Sequence, residues 1–162
     1  NCCAIQAQLG QFEHVIGANT TYPALVELAQ QFEKLTGLSR VFFASDGSCA
    51  VEIALKLALH AMQLRGAPER RQWIALSNGY HGETIATLSV SDVSCYKQPF
   101  EGLGLACHMI QDVPYVSGDD DPMWDNCEAI WPQIEAQLDA YKHTACGVLV
   151  EPMLQGAGGM RV

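Results

Sequence analysis

Apolar side chains in this chain recur in two rhythms. Leu25, Leu28, Phe32 and Leu35 return at three- and four-residue steps, which predicts a helix from about Pro23 to Leu35 with one buried face. Thr20 and Thr21 offer caps, Pro23 suits the first turn, and Gly37 ends the helix. Val41-Phe42-Phe43-Ala44 is an apolar run without alternation, which predicts a strand buried on both faces of a parallel sheet. Ser45-Asp46-Gly47-Ser48 then turns into a second helix, from about Cys49 to Arg65. Its polar positions Glu52, Lys56 and His60 form a single stripe, so the rest should be deeply packed. Glu52 and Lys56 also stand in the favourable order for an i,i+4 ion pair, and Gly66 follows as the stop.

The same rhythms continue further on. Trp73-Ile74-Ala75-Leu76 predicts a second buried strand, and the loop Ser77 to Gly82 follows it. Glu83 to Val90 predicts a short helix. From Ser91 to Met123 prolines and glycines break up the pattern, leaving Leu105 to Ile110 as a candidate strand. A third long helix fits about Trp124 to His143, with Cys127, Ile130, Trp131, Ile134, Leu138 and Tyr141 on one side. The side carrying Trp131 and Tyr141 is expected to pack in the core. Cys146 to Val150 predicts a final buried strand, left by Glu151-Pro152 and followed by the glycine-rich loop Gln155 to Gly159. Strands alternating with helices predict an α/β domain with a mainly parallel sheet. Ligands of such sheets sit beyond the carboxyl ends of the strands. The loops 45–48, 77–83 and 151–159 all follow predicted strands and are candidates to meet at one site.

Composition narrows the function classes. The 162 residues are 49% hydrophobic and 17% charged, enough apolar material for a packed core. The net charge of −9 argues against nucleic acid, which wants a basic face, and against a polybasic membrane anchor. The longest apolar stretch, Val51 to Leu64, is broken by Glu52, Lys56 and His60 and falls short of the roughly 18 apolar residues of a membrane helix. Seven cysteines, an odd number without a CxxC pair, read as reduced thiols of a cytoplasmic protein rather than a disulfide scaffold. Cys49 and Cys146 lie in apolar segments and read as small hydrophobes. His81, Cys95, Cys107 and His108 lack the paired spacing of a zinc site. Asp119-Asp120-Asp121 lacks the spaced ligands of a calcium loop and reads as a solvated acidic loop. The chain begins at Asn1 without a signal segment and stops after a glycine-rich turn, so it is expected to be a piece of a longer protein.

Three loops carry candidate chemistry. In Asp46-Gly47-Ser48, Gly47 permits close backbone approach, and the first-turn amides of the following helix carry partial positive charge that suits a phosphate. The same residues also read as a simple capped turn, with Asp46 or Ser48 as the cap. In Gly79-Tyr80-His81-Gly82, Tyr80 could stack on a planar cofactor with His81 as its polar neighbour, or simply anchor a tight turn. Glu151 ends a buried strand, where a carboxylate is costly unless paired, so it has either a partner or a solvated position. Tyr96 and Phe100 read as cleft lining or as loop anchors.

Together these segments resemble the class III, pyridoxal-phosphate-dependent aminotransferases. Val41-Phe-Phe-Ala-Ser-Asp-Gly-Ser-Cys-Ala-Val-Glu-Ile-Ala-Leu-Lys-Leu-Ala looks like the family's phosphate-cup strand, turn and helix. Gly79-Tyr-His-Gly-Glu-Thr looks like its aromatic cofactor loop. Glu151-Pro-Met-Leu-Gln-Gly-Ala-Gly-Gly-Met, with an extra residue before Gln155, is most similar to the branch serving biotin biosynthesis. The resemblance implies part of the large domain of a fold-type I transferase. Residues 1–20 would be a lead-in, and 21–162 the start of the cofactor-binding domain. It implies that Gly47 and Ser48 hold the phosphate of pyridoxal 5'-phosphate. Tyr80 would pack by its ring and border the substrate, with Glu151 and His81 in support. Related sequences often carry Ser where this chain has Asp46, so that carboxylate must point away from a phosphate or pair. The implied reaction moves an amino group from S-adenosylmethionine to 8-amino-7-oxononanoate, giving 7,8-diaminononanoate, in a homodimer with its site at the subunit interface. Alternatives are an omega-aminotransferase of the ornithine or 4-aminobutyrate type, or a non-catalytic phosphate-binding fragment. The Schiff-base lysine would lie beyond Val162, since Lys34, Lys56, Lys97 and Lys142 do not match its context.

Overall fold

The computed structural model describes residues 2–161. Packing divides the chain into two compact units, one up to Phe43 and one from Ala44 onward. The first holds α1 (Cys2–Leu9) and α2 (Pro23–Thr36). Helix α2 matches its predicted span. Gly37 adopts φ 72° and donates to the Glu33 carbonyl at 2.8 Å, closing the helix in the left-handed conformation that glycine takes without strain. The N-terminus departs from expectation. Tyr22 stands at the cap without a side-chain hydrogen bond, while the Thr20 hydroxyl turns back to the Ile16 carbonyl. The predicted buried face is also corrected: Leu25 is half-buried, but Leu28 and Phe32 are exposed and Leu35 is 82% exposed. Periodicity shows which face would bury, not whether something covers it.

The strand expected at Val41 to Ala44 does not form. A strand needs a ladder partner for its backbone groups. This segment has none among the described residues, and Phe42 stays 71% exposed.

The second unit is the expected α/β arrangement. Strands β1 (Gln72–Leu76), β2 (Cys107–Ile110) and β3 (Ala145–Leu149) form a parallel sheet in the order β2-β1-β3. Helix α3 (Gly47–Leu64) precedes β1, α4 (Ile85–Ser89) and α5 (Ser94–Lys97) lie between β1 and β2, and α6 (Trp131–Tyr141) lies between β2 and β3. Successive side chains of a strand face opposite sides. Trp73 therefore packs with Leu55, Val90 and Cys146 on one face, and Ile74 with Ile110, Ala145, Ile134 and Leu138 on the other. Both faces are covered, which explains why β1 reads as a continuous apolar run. Gly147 pairs with Trp73 across the β1–β3 ladder, and a Cβ there would stand 2.8 Å from the Trp73 ring.

Further expectations are corrected. Helix α3 is packed on one side only: Leu55 is its buried residue, while Leu57 and Leu64 are exposed. Glu52 does not pair with Lys56, because its carboxylate accepts the Ala86 N–H at 3.1 Å and satisfies an open amide of α4's first turn. The third long helix is shorter than its pattern. Pro122–Trp124 forms a separate 3-10 turn, α6 starts only at Trp131 with a proline in its first turn, and Trp131 itself is 49% exposed. Strand β3 is buried at Ala145 and Cys146 but lies at the sheet's edge, and Val148 is exposed. The glycine-rich loop is the turn of a small hairpin, β4 (Leu154–Gln155) with β5 (Met160–Arg161). All seven cysteines are free thiols. Among the described residues no helix is long and apolar enough to cross a membrane.

Candidate functional site

The three candidate loops meet in the second unit. Strand β1 delivers 77–83 and strand β3 delivers 151–156. Glu151 joins them: Oε1 accepts the Tyr80 N–H at 2.7 Å and Oε2 accepts the Gly156 N–H at 2.8 Å. Of the two readings its sequence left open, the carboxylate is the paired one. The loop at 45–48 joins through Ser48, whose Oγ accepts the Glu83 N–H at 3.3 Å. Gly82 makes that approach possible. It adopts φ 133°, and a Cβ there would collide with Ser48 Oγ, with Thr87 Oγ1 at 2.8 Å and with Ser48 Cβ at 2.9 Å.

At the N-terminus of α3 the capping question resolves in favour of Asp46. Its Oδ1 accepts the Cys49 N–H and its Oδ2 accepts the Ser45 hydroxyl, both at 2.8 Å. The Cys49 amide holds this carboxyl below its usual pKa, with help from Ser45. The carboxylate is thus paired, as the sequence required. Ser48 is left to the Glu83 contact, and a Cβ on Gly47 would meet nothing within 4 Å. A helix N-terminus with an open face and a hydroxyl beside it can receive an anion.

Tyr80 is half-buried. Its hydroxyl donates to Glu83 Oε1 at 2.7 Å, and this bond raises the phenol pKa above its ordinary value. Its ring lies 5.6 Å from that of Tyr96, tilted by 53°. His81 is held by its backbone: its N–H donates to Ser91 Oγ at 2.8 Å, and Ser91 Oγ donates to the Thr87 carbonyl at 2.8 Å. Its Nε2 is buried without a hydrogen-bond partner. Burial lowers the imidazole pKa, and the Glu151 charge opposes that shift, so the ring is neutral at pH 7.

The sequence named Gly47, Ser48, Tyr80, His81 and Glu151, and the structure brings all five into this loop cluster. It did not assign roles to Gly82, Glu83 or Gln155. The short Gly-Tyr-His-Gly spacing was the available signal for Gly82. Nothing in periodicity marks Gln155, which is fully buried and donates from Nε2 to the Ser77 carbonyl at 2.8 Å. A cleft of about 560 Å³ adjoins Glu83, lined by Leu88, Lys97, Phe100, Leu103 and Cys107. Phe100 is therefore cleft lining, while Tyr96 touches Tyr80. Burial pushes the Cys107 thiol up to about 11, so it stays protonated. Lys97 donates to the Ser89 and Ser91 carbonyls, and Lys142 pairs with Asp139. Asp121 in the acidic loop accepts from Ser117 and Met123 and organises its own turn.

Residues 2–162 match the family model for class III aminotransferases. Among curated proteins, adenosylmethionine-8-amino-7-oxononanoate aminotransferase of Helicobacter pylori is 34% identical over 159 residues, covering 98% of this chain and 35% of the relative. The protein of that name from Synechococcus elongatus is 37% identical over 166 residues, covering 98% and 37%. Among solved structures, an amine transaminase from an uncultivated Pseudomonas species in its PLP-bound form superposes with a TM-score of 0.83 at 31% identity, covering 99% of this chain and 38% of that one. The adenosylmethionine-8-amino-7-oxononanoate aminotransferase of Methanocaldococcus jannaschii shares the fold with a TM-score of 0.82 at 23% identity, covering 97% and 34%. The chain thus spans about a third of the length of these relatives.

Proposed function

Because the chain belongs to the class III aminotransferases, we propose that it is the phosphate-holding part of a biotin-pathway aminotransferase, one that passes an amino group from S-adenosylmethionine to 8-amino-7-oxononanoate. The observation that carries this reading is the division of work at the start of α3. Asp46 caps the helix and is charge-paired, Gly47 faces open space, and Ser48 is oriented by the Glu83 N–H. A hydroxyl that accepts one hydrogen bond keeps its own proton to donate. That set fits the phosphate of pyridoxal 5'-phosphate. Tyr80, half-buried and fixed at its hydroxyl and its backbone N–H, fits the edge of a flat ring.

When bound, pyridoxal phosphate supplies the electron sink for amino-group transfer. The chain's own residues bind and orient. Ser48 and the N-terminus of α3 hold the anion, Tyr80 flanks the ring and the substrate, and Glu151 keeps the Tyr80 loop against the glycine-rich hairpin. His81, half-buried and with its imidazole pKa lowered by burial, adds little charge to the site at neutral pH. None of the four lysines is hydrogen-bonded to the site loops among the described residues, which supports a reactive lysine supplied from beyond these 162 residues. The exposed Leu103, Leu105 and Phe100 beside the site support a homodimer. The free thiols support a cytoplasmic location.

The test is pyridoxal-phosphate titration of the full-length protein. Ser48→Ala removes a donor to a charged group, a loss of about 1.5–3 kcal/mol or roughly ten- to hundredfold in affinity. Gly47→Val should lose at least as much while folding normally, because a Cβ there meets nothing within 4 Å and the side chain enters the space proposed for the phosphate. If both variants bind like the parent, the phosphate is held elsewhere. S-Adenosylmethionine against ornithine, 4-aminobutyrate and simple amines as donors then separates the biotin branch from other transaminases of the family.

A further inference from the structure

We infer that Gln155 is a positioning residue for Tyr80, acting with Glu151 as a latch between the β1 loop and the glycine-rich hairpin; this rests on the reading of Tyr80 as the ring-flanking residue. Glutamine is seldom fully buried, and here it is 0% exposed. Its Nε2 donates to the Ser77 carbonyl at 2.8 Å, while its Oε1 is buried without a partner. An apolar side chain of the same size would fill that space without an unsatisfied oxygen. What the amide provides instead is the tie to Ser77.

Ser77 is a fixed point, because its N–H continues the sheet by donating to the Ile110 carbonyl of β2 at 3.0 Å. The chain of contacts therefore starts at the sheet. It passes through Gln155 to the adjacent Gly156 N–H, from there to Glu151 Oε2, and from Glu151 Oε1 to the Tyr80 N–H. The backbone at Gly79 lies beneath this path. A Cβ there would stand 3.0 Å from the Leu76 carbonyl, 3.3 Å from His81 Nε2 and 3.6 Å from Glu151 Oε1. With space so limited, Tyr80 is set by where Glu151 sits, and Glu151 by where Gln155 holds the hairpin.

The experiment uses full-length protein carrying Gln155→Leu, with Gln155→Met as a second variant of different shape. Hydrogen exchange of the peptide containing Tyr80 should quicken about tenfold in both, while the β1 peptide stays protected. Pyridoxal-phosphate affinity should fall about two- to tenfold, the worth of one neutral hydrogen bond. In a Tyr80→Ala background the Gln155 change should have no further effect on affinity. Unchanged exchange at Tyr80 in either folded variant would overturn the latch. So would an equal affinity loss with and without Tyr80, or unfolding of both variants, because Gln155 would then be serving stability alone. If the unaltered protein fails to bind pyridoxal phosphate, the functional reading falls, while the exchange measurement still decides the latch.

Discussion

Gly82→Ala is the most demanding perturbation the site offers. Gly82 holds φ 133°, where an L side chain is strained by about 1–3 kcal/mol. The added Cβ would also meet Ser48 and the fully buried Thr87, whose Oγ1 lies 2.8 Å from its position. Overpacking of that kind costs typically about 1–3 kcal/mol. The two together give about 2–6 kcal/mol, a large share of the roughly 5–15 kcal/mol that stabilises a domain. At about 2–4 °C per kcal/mol for a domain of about 150–250 residues, the melting temperature should fall by roughly 4–24 °C.

The loop can escape part of this cost by lifting away from Ser48, but then the Glu83 N–H no longer orients the hydroxyl. Stability and cofactor affinity should therefore fall together. Scanning calorimetry and pyridoxal-phosphate titration of the full-length variant measure the two. Adding Ser48→Gly removes two of the three colliding atoms, leaving Thr87 Oγ1. Part of the melting temperature should return, but not the affinity. A Gly82→Ala protein that melts within about 1 °C of the parent and binds the cofactor equally well would refute the close approach of these loops.

Two further outcomes follow from the same geometry. The native His81 pKa lies below its unfolded value, so between the two only the unfolded chain binds the proton. Its contribution is fully present above about pH 6.5 and declines as pH falls from there toward the native pKa; urea midpoints at several pH values should show that slope in the parent, and His81→Gln should flatten it. The 162-residue chain alone, supplied with pyridoxal phosphate and S-adenosylmethionine, should show no transamination, since it carries no lysine at the loops; turnover above the free cofactor would overturn the assignment of the reactive lysine to another part of the protein.

What was legible in the sequence depended on how local the cause was. Strand β1 could be read because burial on both faces leaves an unbroken apolar run, and α2 because its period and its glycine stop are both within the segment. The meeting of three loops followed from their common position after strands. Val41 to Ala44 has the same apolar character as β1 but no ladder partner among the described residues, and composition carries no record of a neighbour. Glu52 has an attractive partner one turn away, yet its carboxylate goes to an amide 34 residues on. Gln155 reaches Ser77 across 78 residues. Such ties satisfy backbone groups that any sequence possesses, so no residue type announces them in advance.

Asp46 shows how one substitution in a motif can be absorbed. A carboxylate beside a phosphate site is unfavourable by charge, and the family resemblance leads one to expect serine there. At the N-terminus of α3, however, the helix dipole favours a negative charge, and the hydrogen bond from the Cys49 N–H lowers the carboxyl's pKa. Ser45 shares the remaining charge through Oδ2. With Asp46 doing the capping, Ser48 need not cap, and its hydroxyl can bridge to the Tyr80 loop through Glu83. The residue that departs from the family pattern thereby frees the neighbour proposed to bind the phosphate. The charge cost is reduced by pairing the carboxylate on the helix's own backbone rather than by removing it from the site.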